Sequence, residues 1–312
     1  MKILSVYNSS WLRLALLAVI VLTLFARPHA AMAQGTDFSK IEIKTTKLAD
    51  NLYTLEGSGG TIGVLAGPDG VFMVDAQFAP LTQKIVAAVK QISNAPIKFL
   101  VNTHVHGDHT GGNENFGKMG VVLISRDELR DQLVHPVPAA SGAPGRPAPA
   151  AALPMMTYEG RVTLHMNGEE VQLIAIPRAH TNGDTLIYFP KADVIMCGDF
   201  YRSIQYPNIA RQNGGSLNGM LDGLGLLIGM AGPNTKIVPG HGPVVSRAEV
   251  TKTRDMLLVI RDRVAQMVAQ GKTQEEVLAA HPTADYDAIV PNAGTTSERF
   301  LTQLYQELKA AR

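Results

Sequence analysis

The sequence is poor in cysteine and has almost no excess of charge. Cys197 is the only cysteine among 312 residues, so the chain cannot form an internal disulfide and must be stable through its core. The 28 basic and 27 acidic residues leave a formal net charge of +1. Proteins that bind nucleic acid or an anionic membrane carry a surplus of basic side chains, and this composition gives no case for either partner. We therefore expect a small-molecule substrate.

Long apolar runs are scarce as well. The longest, Leu14 to Phe25, has about twelve residues, whereas a membrane-spanning helix needs roughly 20. It follows the basic residues Lys2 and Arg13 and precedes the small residues Ala31-Met32-Ala33. This order is typical of a secretory signal peptide, here residues 1–33.

Cleavage of this leader near Ala33 and Gln34 predicts a periplasmic or secreted protein with no membrane attachment. A retained membrane anchor is the alternative. Residues 34–312 are at the upper end of what one hydrophobic core supports, so we expect a single domain.

The first half of this domain alternates strand-like runs with turn signals and then changes to a helical period. The pattern predicts strands over Ile41–Thr46, Leu52–Glu56, Thr61–Ala66, Val71–Asp75, Ile97–Val101 and Val121–Ile124. Apolar residues at helical spacing predict helices over Leu81–Ile92 and Arg126–Leu133. Strands alternating with helices indicate a layered α/β arrangement.

The second half repeats this organisation. A hairpin signal, Asn167-Gly168, joins two of the predicted strands. The strands are Val162–Met166, Val171–Ile176, Thr185–Phe189, Val194–Cys197 and Lys236–Val238, and the helices are Ser216–Met230, Val250–Gln270, Gln274–His281 and Ser297–Ala310.

Between the halves, His135 to Pro154 contains six prolines, seven alanines and two glycines. Such a segment cannot form a continuous helix or a central strand. We interpret it as a surface insertion, with a flap over the functional site as the alternative.

The most informative stretch is Asn102 to Asn113, NTHVHGDHTGGN, which places four metal-binding side chains in six residues: His104, His106, Asp108 and His109. Imidazole and carboxylate are the ligands of zinc and similar metals. In extended backbone, His104 and His106 point to the same side, and a turn at Gly107 would aim Asp108 and His109 at a second ion. A histidine-rich surface loop is the alternative.

Further polar motifs follow the strands of the second half. They are His180 in Ala-His-Thr-Asn-Gly-Asp, Asp199 after Gly198, and His241 in Pro-Gly-His-Gly; Asp75 closes a strand in the first half. In this order the motifs closely resemble those of the metallo-β-lactamase superfamily. The resemblance spans about Asn51 to Val245 and implies a four-layer αββα sandwich with its site at one edge of two facing sheets.

The resemblance also implies a ligand set. One metal would be bound by His104, His106 and His180, the other by Asp108, His109 and His241, and Asp199 would bridge them. Asp75 would orient a ligand or its loop. Zinc, two ions per chain, is the expected cofactor, with iron or manganese as alternatives.

Two ions that share one hydroxide make it available near neutral pH, and it would attack a small carbonyl substrate. Asp108 is the candidate for a catalytic proton acceptor. A β-lactam, or another cyclic amide or ester, is the expected substrate; lactones, thioesters, phosphodiesters and sulfate esters are the alternatives.

The sequence departs from the best-known resistance enzymes of the family, many of which use a cysteine where Asp199 lies. Cys197 lies two residues earlier, where we expect a small buried apolar side chain. Arg202 is a candidate for holding a substrate carboxylate, or else a solvated surface charge. His135 and His165 lack ligand-like neighbours, and we expect neither to bind metal.

Two other functions fit the motifs. Relatives of this fold bind a single iron ion and oxidise persulfides with an overlapping ligand set, so metal content would discriminate that activity from hydrolysis. A metal-binding scaffold without activity is the other possibility. The pocket walls are expected from Gly57–Gly60, the proline-rich segment and Tyr201–Asn218.

Overall fold

Twelve strands form two sheets within the part of the chain that the computed structural model describes, residues 36–138 and 144–311. The first sheet has seven strands in sequence order, antiparallel from β1 to β4 and parallel from β4 to β7. Its strands are β1 (Lys44–Lys47), β2 (Leu52–Glu56), β3 (Ile62–Leu65), β4 (Val71–Val74), β5 (Ile97–Val101), β6 (Val122–Arg126) and β7 (Met156–Tyr158).

The second sheet has five strands in the order β12-β11-β10-β9-β8. Only β11 and β12 run parallel; the other pairs are antiparallel, and Asn167-Gly168 turns the β8–β9 hairpin with both residues at positive φ. The strands are β8 (Arg161–Met166), β9 (Glu169–Ile176), β10 (Asp184–Phe189), β11 (Val194–Met196) and β12 (Lys236–Val238).

Eight helices accompany these sheets within the described ranges. Two of them, α6 and α7, begin with capping boxes at Ser246 and Thr273. The helices are α1 (Thr82–Ile92), α2 (Gly107–Thr110), α3 (Asn113–Lys118), α4 (Asp127–Val134), α5 (Leu217–Met230), α6 (Arg247–Ala269), α7 (Gln274–Ala280) and α8 (Ala293–Ala310).

Three clusters of buried apolar side chains join the layers. The central cluster lies between the inner faces of the two sheets and includes Phe72, Val101, Leu173, Phe189 and Met196. The outer face of the first sheet packs against α1 through residues such as Met73, Leu100, Ile85 and Val89. The outer face of the second sheet packs against α5, α6 and α8 through residues such as Ile195, Leu224, Ile260 and Phe300. The predicted αββα sandwich is therefore confirmed.

Individual boundaries differ from the sequence-based predictions. Helix α8 begins at Ala293 rather than at Ser297, which is buried in the helix. Its first turn follows Asn292, whose left-handed backbone breaks the preceding chain. The short elements β7, α2 and α3 were not predicted, because three to six residues are too few to show a period; at α2 only a turn at Gly107 was expected.

The described ends of the proline-rich segment pack on the first sheet's side of the molecule. The side chain of Asn113 in α3 donates to Ala152 O at 3.3 Å, and Met155 N donates to Leu123 O at 2.9 Å, which leads the chain into β7 beside β6. The segment after Pro149 is thus an edge connection of the sheet. Its function as a flap stays a prediction.

The chain divides into two units, Met1–Asp37 and Phe38–Arg312, and the second contains all elements above. The predicted signal peptide, residues 1–33, lies outside the described residues. Among the helices that are described, none is long and apolar enough to cross a membrane.

Candidate metal centre

The first group of ligand atoms comes from the loop after β5 and the loop between β9 and β10. His106 Nδ1 lies 3.1 Å from His104 Nε2 and 2.9 Å from His180 Nε2. His104 and His180 are fully buried, and His106 is partly exposed. Three ring nitrogens therefore converge on one point at the edge of the sandwich, and Asp199 completes the group.

The second group comes from α2 and the loop after β12. His241 Nε2 lies 3.1 Å from Asp108 Oδ2 and 3.4 Å from His109 Nε2, and Asp108 Oδ2 lies 3.6 Å from His109 Nε2. His106, in extended backbone, is the residue before α2, and the turn from it into the helix directs the side chains of Asp108 and His109 toward the second group.

Asp199 lies between the two groups and offers one oxygen to each. Its Oδ2 is 3.6 Å from both His104 Nε2 and His180 Nε2, whereas its Oδ1 is 3.4 Å from both His109 Nε2 and His241 Nε2. The structure thus brings together all seven residues that the sequence proposed, in the two groups that the family resemblance implied.

These spacings fit metal coordination better than hydrogen bonding. Two nitrogens bound to one tetrahedral zinc at about 2.0–2.1 Å are separated by about 3.3 Å, close to the distances within each group. Asp199 Oδ1 is buried and has no hydrogen-bond partner among the described residues. A buried carboxylate oxygen without a partner is costly, and a cation would satisfy it. The donor set therefore fits two metal ions.

Asp75 fixes the ring of His109. Its Oδ2 lies 2.7 Å from His109 Nδ1, so Nδ1–H donates to the carboxylate and Nε2 is the nitrogen that faces the second group. Asp75 is held in turn by Thr103, whose backbone N and Oγ1 donate to it at 2.7 and 2.8 Å. The structure places Asp75 where it can orient a ligand rather than bind an ion.

His180 is oriented by a backbone carbonyl, which no sequence motif revealed. Its Nδ1–H donates to Asn208 O at 2.6 Å, and this leaves Nε2 for the first group. Asn213 lies beside His106, and its Nδ2 donates to Gln132 Oε1 at 2.6 Å. Backbone carbonyls and amide side chains on ordinary loops carry no residue pattern, so sequence reasoning missed these neighbours.

Two glycines allow the ligands their positions. A Cβ on Gly60 would lie 2.1 Å from the His109 ring, and a Cβ on Gly240 would lie 2.0 Å from Asp199 Oδ1. Both distances are shorter than any real carbon contact, so neither site accepts a side chain unless a ligand moves. Gly240 was part of a recognised motif, whereas Gly60 was predicted only as pocket wall.

Burial dominates the electrostatics of the first group. It lowers the pKa of His104 well below the ordinary value, lowers that of His106, and lowers that of His180 to about 3, and neighbouring histidines act in the same direction on all three. These rings are therefore neutral, which is the form that binds metal.

In the second group, carboxylates outweigh burial. Burial opposes protonation of both histidines. The carboxylates of Asp199 and Asp75 nevertheless raise the pKa of His109, and those of Asp108 and Asp199 raise the pKa of His241. Burial would raise the pKa of Asp108, yet the hydrogen bond from His241 and the charge of His109 lower it to about 2. Against burial, His109 and Arg202 hold the pKa of Asp199 well below its usual range. The acids are thus ionised and ready to bind cations.

Cys197 is a buried apolar side chain, as the sequence analysis expected. It is 1% exposed, its Sγ lies 3.3 Å from Val238 O, and burial raises its thiol pKa far above the ordinary value. Gly198, at φ 53°, turns the chain between Cys197 and Asp199, so strand alternation ends there and only Asp199 reaches the centre.

Arg202 is not a solvated surface charge, which corrects one of its two interpretations. Its side chain is 15% exposed, and its guanidinium pairs with Asp199 Oδ2. His135 and His165 both lie outside the two ligand groups; His135 is paired with Asp131 at 2.9 Å, and His165 is exposed on β8.

A cavity of about 560 Å³ opens beside the second group. Its lining includes the glycines after β2 and the segment after β12, together with Ile204 from the loop after Asp199: Gly57, Gly59, Gly60, Ile204, His241 and Gly242. Two of the three predicted pocket walls are thus present. None of the described residues of the proline-rich segment lines this cavity.

The family model of the metallo-beta-lactamase superfamily matches residues 55–241, and the chain belongs to that superfamily. The match runs from the end of β2 to His241 and includes both ligand groups. The predicted membership, and with it the class of metal-dependent hydrolase folds, is confirmed.

The chain is similar both to alkylsulfatases and to metallo-beta-lactamases. The linear primary-alkylsulfatase of a Pseudomonas species is 23% identical over 256 residues, which is 69% of this chain and 48% of the relative. A metallo-beta-lactamase from Pontibacter korlensis superposes with a TM-score of 0.57 at 19% identity, covering 70% of this chain and 99% of its own.

The stereoselective inverting sec-alkylsulfatase Pisa1 from Pseudomonas sp. superposes with a TM-score of 0.64 at 17% identity, covering 85% of this chain and 50% of its own. The chain thus spans about half the length of the alkylsulfatases that it matches. At these identities the structural matches show a common fold.

Proposed function

We propose that this protein is a hydrolase that uses two zinc ions, one in each ligand group. The observation that carries the proposal is the position of Asp199, whose two carboxylate oxygens face different groups at 3.4–3.6 Å. A carboxylate so placed suits two cations, because one ion would need only one of its oxygens.

Zinc is supported by the chemistry of the donors. Five imidazoles and two carboxylates, with no thiolate, match the ligands that zinc takes in catalytic sites, and iron and manganese share some of this preference. When bound, the ions would supply Lewis-acid polarisation of a substrate oxygen and a water molecule acidified from a pKa of 15.7 toward roughly 7.

The protein's own groups then hold the centre and move the proton. The side chain of Asp108 is 24% exposed and is the carboxylate of the centre that reaches solvent, whereas that of Asp199 is fully buried. We propose Asp108 as the acceptor of the proton that the attacking water loses. Asp75, Thr103 and Asn208 keep the rings of His109 and His180 in the tautomers that face the ions.

Two substrate classes are proposed. A β-lactam or other small cyclic amide or ester is supported by the superfamily and by the similarity to the Pontibacter korlensis metallo-beta-lactamase. A sulfate ester is supported by the similarity to the linear primary-alkylsulfatase, which extends over 69% of this chain. Lactones and thioesters, which react at a carbonyl carbon as cyclic amides do, and phosphodiesters, which react at phosphorus, are the remaining alternatives.

Oxidation of a persulfide at a single iron is the competing function. A single iron ion would need only the first group of ligands. It would not explain why the ligand atoms of Asp108, His109 and His241 lie 3.1–3.6 Å from one another. We also propose export through the leader over residues 1–33, which would place the enzyme where it meets substrates from outside the cell.

The experiment is a comparison of substrates with a ligand variant. The zinc-loaded protein is assayed with a chromogenic cephalosporin and with a set of alkyl sulfates, beside Asp108→Ala and the control Asp50→Ala, whose carboxylate is exposed away from the centre. We expect hydrolysis of at least one class, a loss of about 100-fold or more in Asp108→Ala, and no change in Asp50→Ala.

Hydrolysis that survives Asp108→Ala with two zincs still bound would contradict the proton transfer by Asp108. If the wild-type protein binds one iron ion and hydrolyses no ester or amide, the hydrolase proposal is contradicted and the oxidative function takes its place.

A further inference from the structure

Three hydrogen-bond donors without partners lie in the region of Arg202, whose guanidinium contacts Asp199 of the metal centre. Arg202 Nε, Gln205 Nε2 and Arg299 Nε are all buried and have no acceptor among the described residues. Arg202 and Gln205 belong to the loop that follows Asp199, and Arg299 belongs to α8. Buried donors are normally paired, so three unpaired donors in one region indicate a missing acceptor.

The three side chains belong to one region of the molecule. Arg299 Nη2 donates to Tyr206 O at 3.4 Å, next along the chain from Gln205. Burial and, after it, the charge of Arg202 lower the pKa of Arg299, which shows that the two guanidinium groups are neighbours. Two cations placed side by side repel each other unless an anion lies between or beside them.

The one anion that the described residues supply to this pair is Asp199, which is itself a proposed metal ligand. Within the described residues, the only ion pair of either arginine is that of Arg202 with Asp199. In the proposed function Asp199 gives both oxygens to metal ions, so its charge is shared with them. The region then keeps two guanidinium charges that no carboxylate of its own neutralises.

An apolar cavity begins at the same place. It measures about 550 Å³, within the usual range of ligand pockets, and both Arg202 and Gln205 line it. Its other walls come from Val245, from α6 and from the segment before α8, and they are largely apolar: Val245, Met256, Val259, Tyr286, Ile289 and Val290. Ile289 and Val259 are 74% and 40% exposed, which an apolar ligand would reduce. The charged side chains at the rim, Glu249, Lys252 and Asp255, are exposed to solvent.

We propose that the substrate is an amphiphilic anion, whose sulfate or carboxylate group is bound by Arg202, Gln205 and Arg299 and whose apolar chain lies in this cavity. The inference rests on the proposed function, because it takes Asp199 as a metal ligand. A planar guanidinium binds such oxyanions through two parallel hydrogen bonds, and the amide of Gln205 adds a third donor.

Binding is measured by isothermal titration calorimetry on the zinc-loaded full chain with three ligands that it cannot hydrolyse: hexane-1-sulfonate, heptanoate and uncharged 1-hexanol. We expect at least one of the anions to bind about tenfold or more tightly than 1-hexanol, since hydrogen bonds to charged groups are the stronger ones. The anion that binds more tightly distinguishes a sulfate substrate from a carboxylate.

Variants locate the binding. Arg299→Gln should weaken the preferred anion about tenfold, and Arg299→Lys should recover part of the loss. Gln205→Leu, which removes only the amide, should weaken it about threefold and tests the same pocket if Arg299→Gln does not fold. Arg261→Gln removes a cation from an exposed ion pair of α6 and should change nothing.

Anions that bind no better than 1-hexanol, or an Arg261→Gln variant that weakens them as much as Arg299→Gln, would overturn the inference. Hydrolysis of neutral esters without a preference for anions would leave the two-metal function intact and remove only the amphiphilic substrate. Anion binding that depends on Arg299 in a protein without hydrolytic activity would keep the anion site and remove the hydrolase function.

Discussion

The ligands of the candidate centre are oriented by specific partners before any ion binds. His109 and His180 each donate one ring N–H, to Asp75 and to Asn208 O, and present the other nitrogen to the centre. Preorganised ligands bind metal more tightly, because less conformational freedom is lost on binding. At this scale the affinity for metal depends on residues that do not contact it.

Asp75→Asn tests this dependence. Asparagine tolerates the left-handed backbone of Asp75, φ 63°. Its amide, however, replaces one acceptor oxygen of the carboxylate with an NH2 donor, which would face the donors of Thr103 or His109. We expect the affinity of the second group for zinc to fall about 10- to 100-fold, with little change in the first. Competition with a chromogenic chelator measures both sites, and Asp50→Asn is the control. Equal affinities in variant and wild type would show that Asp75 does not orient His109.

Gly60→Ala tests the close approach of backbone to ligand. The added carbon would meet the His109 ring at 2.1 Å, so the ring must move and the second zinc should be lost or bound about 100-fold less tightly. Gly229→Ala is the matched control, because a Cβ there meets no atom within 4 Å and alanine suits the interior of α5. Zinc stoichiometry after gel filtration is the measurement. Two zincs retained in Gly60→Ala would contradict the steric argument.

The sequence contained the ligands themselves but not their supports. Four ligands lie in six residues, and strand alternation with a turn at Gly107 was enough to separate them into two groups. His180 is supported by a backbone carbonyl and His109 by a carboxylate 34 residues earlier in the chain, and neither contact has a local residue pattern to recognise.

At the scale of elements, the start of helix α5 is capped by its own Ser216 and also by a carboxylate from another helix. Glu307 of α8 accepts from Ser216 Oγ at 2.6 Å and from Leu217 N at 2.8 Å, so a carboxylate lies at the positive end of α5. This contact joins two helices of the outer layer on the second sheet.

Glu307→Ala should lower the free energy of unfolding by about 1–2 kcal/mol, because it leaves the first donors of α5 without their acceptor. Urea denaturation followed by circular dichroism measures the change, and Glu298→Ala on the exposed face of α8 is the control. A loss no greater than that of the control would mean that the cap contributes nothing to stability.

Most elements were predictable because they repeat a period over several residues. Helix α1 and strands β2, β5 and β9 follow their predicted ranges to within about two residues. The start of α8 could not be predicted, because no side chain caps its first turn; only the left-handed backbone of Asn292 marks it.

At the scale of the whole molecule, the centre joins loops from both sheets. Ligands come from segments after β5, β9, β11 and β12, so bound ions would cross-link the two halves of the sandwich. The prediction of two facing sheets followed from the resemblance of the motifs, since a period alone does not specify which sheet a strand joins.

Removal of the metals should therefore destabilise the whole domain. An ion that binds only the folded state at about 1,000 times its dissociation constant adds about 4 kcal/mol, so chelation should lower the melting temperature by about 8 °C or more. Differential scanning calorimetry before and after chelation measures this, and zinc but not magnesium should restore it. A melting temperature unaffected by chelation would contradict the role of ions as cross-links.

The central claim is that two ions share Asp199, and metal content tests it most directly. Mass spectrometric metal analysis of zinc-saturated, gel-filtered protein should give two zincs per chain, and about one in His241→Ala, which removes a ligand of the second group only. A wild-type protein that holds one ion or none under saturating zinc would contradict the account.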